Sequence, residues 1–295
     1  MIRRAVPVLL AACACATATV ADAQTDATSA RIPLPAGYQP EGIAAHGGSL
    51  YVGSISTGAV GRLDPESGAF KTIVPPADDA SAIGVEATGK YLAVAAGELG
   101  AINVYRRGSE NFVTGFSTQK KDTFVNDVAR IGSTFYATDS RQKVLLTIKP
   151  GGKQTDGTKL VLRGVPYGKG LNLNGIVDYG EVLVAVHTTN GNLYRIDPRT
   201  GEADKIDLGG AKLKNGDGIL RLQHTLYVVQ NQDNRIQAVN LNDSATKGRL
   251  ADTTTSEDFD VPTTLAHIGR RFFAVNARFG TDDPEHADYW VTRFF

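Results

Sequence analysis

Cysteine is almost missing from this chain of 295 residues, and its two copies, Cys13 and Cys15, both lie near the N-terminus. Once that segment is removed, disulfides, zinc–thiolate sites and cysteine nucleophiles are excluded together. Methionine and tryptophan occur once each. Helical periodicity is also absent, whereas Gly, Val, Thr and Tyr are abundant. This composition favours an all-β fold.

An excess of charge of either sign is missing as well. Removing residues 1–23 takes Arg3, Arg4 and Asp22 away from 31 basic and 31 acidic residues, which leaves 29 and 30. A net charge near minus one gives no argument for a nucleic-acid partner or an anionic membrane surface. After Ala23 no long apolar run remains. We therefore expect a soluble mature protein without a membrane span.

The first 23 residues have the pattern of a secretory signal peptide. Arg3 and Arg4 precede the apolar run 5–20, and Ala-Asp-Ala at 21–23 is a small-x-small cleavage site. This predicts a signal peptide at 1–23, a single domain at 24–295, and a secreted or periplasmic mature protein. The alternative is a lipoprotein tethered through Cys13, because Leu-Ala-Ala-Cys at 10–13 resembles a lipobox, although cleavage there would leave an unusually short apolar core.

A unit of short strand-like runs recurs along the chain. Its clearest copy is Leu173–Gly201, where runs rich in β-branched and aromatic residues are separated by Gly and Asn. Six copies align, and their second residues are 42, 43, 48, 43 and 46 positions apart. That spacing matches the ~40–50 residues of a four-stranded propeller blade.

The repeats predict a six-bladed β-propeller. A β-sandwich would not require near-constant spacing over the whole mature chain. The last copy is short at its C-terminus, so we expect Arg31–Leu34 to supply its missing outer strand and close the ring of blades.

In a propeller the innermost strands of all blades start on one face, beside the central channel, so their second residues should form a ring. The ring residues are Glu41, Ile83, Asn126, Asn174, Asp217 and Thr263. Four of the six offer carboxylate or carboxamide oxygens, which suit a hard divalent cation, with Ca²⁺ preferred over Mg²⁺. Without a cation, two neighbouring carboxylates would repel and one would be protonated. The alternative is that each polar residue is simply part of a turn between blades.

Loops between the second and third strands of each blade should rise on the same face as the ring. These loops, together with the ring residue Thr263 and with Phe124 two residues before Asn126, contribute the predicted pocket-rim residues. They are Phe124, Asp139, Arg141, His187, Asn231, Thr263, Asn276 and Arg278. Arg141 and Arg278 could bind an anionic substrate or form ion pairs with nearby acids. His187 ends an apolar strand, and its alternative role is that of a hydrogen-bonded structural histidine.

The ordered set Pro-Glu-Gly, Asn-Asp, Asn-Gly and Asp-Gly, at positions 40, 126, 174 and 217, resembles the senescence-marker-protein/gluconolactonase family. That family includes regucalcin-like lactonases and luciferin-regenerating enzymes. The resemblance implies that Glu41, Asn174 and Asp217 ligate a divalent cation, with Asn126 as a fourth ligand or substrate contact. It also implies hydrolysis of lactones or related esters, with Asp217 near the reacting centre.

One departure from the family changes the expected substrate. Sugar-lactone enzymes of this family carry an Arg two residues before the third-blade Asn, where this chain has Phe124. A more apolar small-molecule substrate is therefore plausible. Asp217 could serve as a general base or hold the attacking water through the metal. We expect the protein to be a monomer. The competing hypothesis is a non-catalytic propeller that binds a ligand or partner, with its metal structural or absent.

Overall fold

The structure is a computed structural model that describes residues 24–26, 30–151 and 157–294. The predicted signal peptide and Cys13 lie outside the described residues. The strands, in chain order, are β1 (Gln24–Asp26), β2 (Ala30–Leu34), β3 (Pro40–His46), β4 (Ser49–Ser54), β5 (Val60–Leu63), β6 (Phe70–Val74), β7 (Val85–Ala87), β8 (Tyr91–Ala95), β9 (Ala101–Arg106), β10 (Phe112–Ser117), β11 (Val125–Ile131), β12 (Thr134–Asp139), β13 (Val144–Ile148), β14 (Thr158–Val161), β15 (Leu173–Tyr179), β16 (Val182–His187), β17 (Leu193–Ile196), β18 (Ala203–Lys205), β19 (Gly216–Leu222), β20 (Thr225–Gln230), β21 (Arg235–Leu241), β22 (Gly248–Thr255), β23 (Pro262–Ile268), β24 (Arg271–Asn276) and β25 (Tyr289–Phe294). A 3-10 turn, Asn231–Asp233, follows β20.

These strands form six antiparallel sheets, which are the six blades of a β-propeller. Blades I to V are β3–β6, β7–β10, β11–β14, β15–β18 and β19–β22, and blade VI combines β23, β24, β25 and β2. The short strand β1 adds to blade V by pairing in parallel with β22. The six-bladed fold predicted from the repeat spacing is confirmed.

The two ends of the chain meet in blade VI. Strand β2 pairs antiparallel with β25, with Ala30 opposite Arg293 and Leu34 opposite Tyr289. This confirms that an N-terminal strand completes the last blade. Arg31 strengthens the seam, because its guanidinium lies 4.0 Å from the centroid of the Trp290 ring and binds Asp258 at 2.6 Å.

The core consists of six apolar clusters, one at each interface between neighbouring blades. Leu50 and Phe273, for example, belong to the cluster between blades I and VI, and Val184 and Val228 to the one between blades IV and V. Both faces of each sheet are therefore covered by a neighbour, and burial of apolar surface stabilises the ring of blades. Within the described residues, no helix is long and apolar enough to cross a membrane.

Candidate functional site

Five of the six inner strands begin with a β-bulge at the ring, and β7 of blade II is the exception. In β3, Pro40 pairs with Ser54 and Ile43 pairs with Val52, so three steps on the inner strand oppose two on its partner. The inner strands β11, β15, β19 and β23 have register shifts at their own first residues. A β-bulge interrupts the regular alternation of side chains between the two faces of a sheet, and bulges are frequent beside active sites. The bulges explain why the second residue of an inner strand can face the channel. In blade II, Ile83 precedes β7 by two residues.

Glycines beside the ring allow the inner strands to approach one another closely. A Cβ on Gly42 would lie 2.1 Å from the carbonyl oxygen of Ile83, and one on Gly175 would lie 2.1 Å from that of Asp217. Both obstacles are backbone atoms of the next blade, so no side-chain movement could make room. The Gly that follows Glu41, Ile83, Asn174 and Asp217 is therefore a packing requirement of the ring.

Replacing Gly175 by Ala tests this close approach. Because the new methyl group meets backbone, we expect the free energy of unfolding to fall by about 3 kcal/mol or more. Gly168→Ala is the matched control, since a Cβ there has nothing within 4 Å. Urea denaturation of both variants measures the difference. Equal stability of the two would contradict the packing described here.

Glu41, Asn126, Asn174 and Asp217 are all buried, with 3–5% of each residue exposed. The amide of Asn231 donates to Oδ2 of Asp217 at 2.7 Å, and the amide of Asn126 donates to Oγ of Ser140 at 3.0 Å. In contrast, Oδ1 of Asn174 and Oδ1 of Asp217 are buried without a hydrogen-bond partner. Two unsatisfied buried oxygens in one ring require an explanation, and a bound cation would supply one.

The electrostatics of the ring agree with this explanation. Desolvation, together with the charges of Asp217 and Asp127, raises the pKa of Glu41 well above its usual value. Burial raises the pKa of Asp217 to about 7, against the hydrogen bond from Asn231. Burial therefore penalises ionisation of both carboxyls. A divalent cation would favour their ionised forms and offset that penalty.

Asp127 is a third carboxyl beneath the ring and was not among the site residues predicted from the sequence. It accepts hydrogen bonds from the backbone N–H groups of Val128 at 2.8 Å and Ile176 at 3.0 Å. Burial raises its pKa to about 7. Four of the six blades have Gly directly after the ring residue, whereas blade III has Asp127 there. An acidic residue at a position where most repeats have Gly was the sequence signal that could have identified Asp127.

Several rim residues have structural partners. Asp139 accepts from the N–H groups of Phe124 (3.0 Å), Arg141 (2.9 Å) and Gln142 (2.8 Å), which shapes the loop after β12. Both ring nitrogens of His187 are bonded, with Nε2 donating to the carbonyl of Pro166 at 3.1 Å. Burial lowers the pKa of His187 and so favours the neutral ring.

The remaining rim residues also have structural partners. Arg141 pairs with Glu98 at 2.9 Å, and Arg278 pairs with Asp260 at 2.7 Å. Asn276 is fully buried and bonds the backbone N–H of Asp260 and Oγ1 of Thr292. Thr263 is fully buried and donates to the carbonyl of Glu41.

The structure thus brings Glu41, Asn174, Asp217 and Asn231 together with Asp127, and it holds Asn126 at the same level. Across residues 30–151 and 157–294, no three His, Cys, Asp or Glu side chains form a group that could hold a metal ion. The ring contributes two carboxylates and two carboxamides. A cation there would depend on amide oxygens as much as on charge.

The sequence matches no protein-family model and no curated protein. Solved structures do match. The Malassezia sympodialis allergen Mala s 1 superposes with a TM-score of 0.72 at 13% identity, covering 90% of this chain and 96% of its own. Regucalcin from Agrobacterium tumefaciens, a calcium-binding protein, superposes with a TM-score of 0.67 at 15% identity, covering 92% and 94%. The chain has the regucalcin fold. A luciferin-regenerating enzyme shares that fold, with a TM-score of 0.62, 13% identity and coverage of 89% and 95%.

Proposed function

We propose that this protein is an exported, calcium-dependent hydrolase of lactones or related esters. The observation that carries the proposal is the pair of unsatisfied oxygens, Oδ1 of Asn174 and Oδ1 of Asp217, beside the desolvated carboxyl of Glu41. Carboxylate and amide oxygens are the ligands that Ca²⁺ prefers. The fold shared with regucalcin, itself a calcium-binding protein, supports the same choice of ion.

Glu41, Asn174 and Asp217 would hold the cation, with Asn126 as the fourth ligand or as a contact to the substrate. When bound, the cation polarises a carbonyl group and lowers the pKa of a water molecule. The donor set fits the ion because the atoms without partners are oxygens and because burial leaves the carboxyls in need of positive charge.

The chain's own residues supply orientation and proton transfer. Asn231 fixes Oδ2 of Asp217 by a hydrogen bond of 2.7 Å, so Oδ1 is the oxygen left to ligate the cation. Asp217 would either accept the proton of the attacking water as general base or hold that water through the metal. Phe124 gives the rim an apolar surface, and Arg141 lies 5.4 Å from the centroid of its ring. We therefore propose a substrate with an apolar portion.

A second function has one observation in its favour. The four oxygen-bearing ring residues are at most 5% exposed, which also suits a structural ion inside a propeller that binds a ligand or partner without catalysis. In that case the metal would stabilise the fold while the rim loops made the contacts.

For cellular context we propose a monomer, secreted or periplasmic, with its signal peptide cleaved near Ala23. The basic start, short apolar run and small-x-small site support this proposal. Attachment to a lipid through Cys13 is the alternative. Edman sequencing and intact mass of the protein purified from its host distinguish a free N-terminus near Gln24 from a lipid-modified Cys13.

A substrate panel tests the function directly. Aliphatic γ- and δ-lactones, sugar lactones and aryl esters should be assayed with calcium and with a chelator. We expect hydrolysis of at least one apolar member with calcium, and a loss of about 100-fold or more with chelator. Absence of hydrolysis across the panel, together with calcium binding, would favour the non-catalytic propeller. Undiminished hydrolysis under chelator would contradict the metal-dependent reaction.

A further inference from the structure

Below the ring, the central channel widens into a cavity of about 200 Å³. Its lining comes from the inner strands of all six blades, at positions that follow the ring residues. The volume is several times the ~30 Å³ that one water molecule takes in the liquid. Between the ring and the cavity lie the residues that directly follow the ring residues, which are Gly in four blades and Asp127 in blade III.

One residue of the lining departs from the sixfold repeat. The residues three positions after each ring residue all line the cavity; they are Ala44, Glu86, Ala129, Val177, Leu220 and Ala266. Five of these six residues are apolar. Glu86 therefore places one carboxyl inside a belt of side chains that is otherwise aliphatic.

Nothing in the described parts of the chain hydrogen-bonds the Glu86 carboxyl or pairs with it within 4 Å. Burial raises its pKa to about 8, which the charge of Arg130 only partly opposes. A desolvated carboxyl without a partner destabilises a fold. Ala, the residue of three sister blades, would fill the same position without that penalty. A function for the carboxyl explains its presence.

The other charged groups of the cavity are already engaged. Arg221 pairs with Asp178 at 2.8 Å, and its guanidinium lies 5.6 Å from the centroid of the Tyr179 ring. Arg130 donates to the carbonyl of Gly132. The ring of His267 lies against that of Phe272, with centroids 5.0 Å apart. The Asp127 carboxyl accepts backbone hydrogen bonds from Val128 and Ile176, so Glu86 is the lining carboxyl left without a hydrogen bond or ion pair among the described residues.

We propose that this axial cavity is a second ligand site, and that it binds a small organic ammonium compound whose cationic group lies against the Glu86 carboxylate. The aliphatic belt suits the carbon portion of such a ligand, and the volume suits a molecule of a few non-hydrogen atoms. The site differs in position and chemistry from the ring.

Ethylammonium chloride is the probe, with potassium chloride, sodium acetate and 1-propanol as controls for ionic strength, charge sign and carbon content. We expect ethylammonium alone to raise the melting temperature of the full chain, by about 2–4 °C at ten times its Kd. Titration calorimetry should give one site per chain. An equal shift with potassium chloride, or no shift with ethylammonium at any millimolar concentration, would overturn the proposal.

Two variants of Glu86 complete the test. Glu86→Ala and Glu86→Gln should both abolish the ethylammonium shift, and without ligand Glu86→Ala should melt above the wild type, because a partly buried carboxyl without a partner is gone. Asp252→Asn, on an exposed outer strand away from the cavity, and Asp217→Asn in the ring should keep the shift. Retained binding in Glu86→Ala, a melting temperature of Glu86→Ala below that of the wild type, or loss of binding in Asp252→Asn would overturn the assignment to Glu86.

Discussion

Replacing Asp217 by Asn is expected to lower kcat/KM for the best lactone or ester substrate by about 1,000-fold. The substitution keeps the shape of the side chain and an oxygen for the Asn231 amide, but it removes the negative charge and the proton acceptor. General-base catalysis alone contributes about 10²–10⁴-fold. Steady-state kinetics at saturating calcium measure the loss, with far-ultraviolet circular dichroism to show that the variant is folded.

Two further variants make that result specific. Asn231→Ala removes only the hydrogen bond that orients Asp217, so we expect a smaller loss of about 10–100-fold. Asp252→Asn changes an exposed carboxylate on an outer strand of the same blade and should leave kcat/KM unchanged. If Asp217→Asn keeps more than a tenth of the wild-type activity, the reaction does not depend on the ring carboxylate.

The fold could be predicted from the sequence because a propeller repeats one packing problem six times. Each blade must cover both faces with its neighbours, so the strand pattern of Leu173–Gly201 recurs at near-constant spacing. The ring residues were predictable for the same reason, since Glu41 and Asp217 occupy equivalent positions. Closure by β2 followed from a blade that lacked one strand.

Other features could not be read from the repeat. Glu86 and Asp127 differ from their counterparts in the other blades, and a single deviation in one sequence does not reveal whether the side chain is buried or what it contacts. The partners of Arg141 and Arg278 depend on how separate loops come together, so ion pairing and substrate binding were equally open. Only the structure shows both in ion pairs.

Calcium should raise the melting temperature, and by more at pH 8 than at pH 5.5. Saturation to 1,000 times Kd contributes about 4 kcal/mol to the free energy of unfolding, which corresponds to about 7 °C for a chain of this size. Lower pH protonates Glu41 and Asp217, which must be ionised to bind the ion, so affinity falls. Differential scanning calorimetry with calcium or chelator at both pH values measures the shift. An unchanged melting temperature at pH 8 would eliminate the metal site.

The metal-free protein should respond to pH in the opposite sense from a protein stabilised by salt-bridged carboxylates. Burial raises the folded-state pKa of Asp217 from 3.8 to about 7, so its ionisation opposes folding. The penalty is absent below pH 4, grows as pH rises, and is fully present above pH 7. With chelator, the free energy of unfolding measured by urea denaturation should therefore fall between pH 4 and pH 7 and level off above pH 7.

Glu41→Gln separates charge repulsion from metal binding, because it removes one of the coupled carboxyls while keeping an oxygen in the ring. In chelator at pH 8, this variant should melt above the wild type, since one desolvated charge and its repulsion with Asp217 are gone. In calcium it should melt below the wild type, because the ion loses a charged ligand. This reversal of order distinguishes a cation site from a carboxylate pair that is only structural. A variant less stable than the wild type under both conditions would show that Glu41 stabilises the fold without a metal.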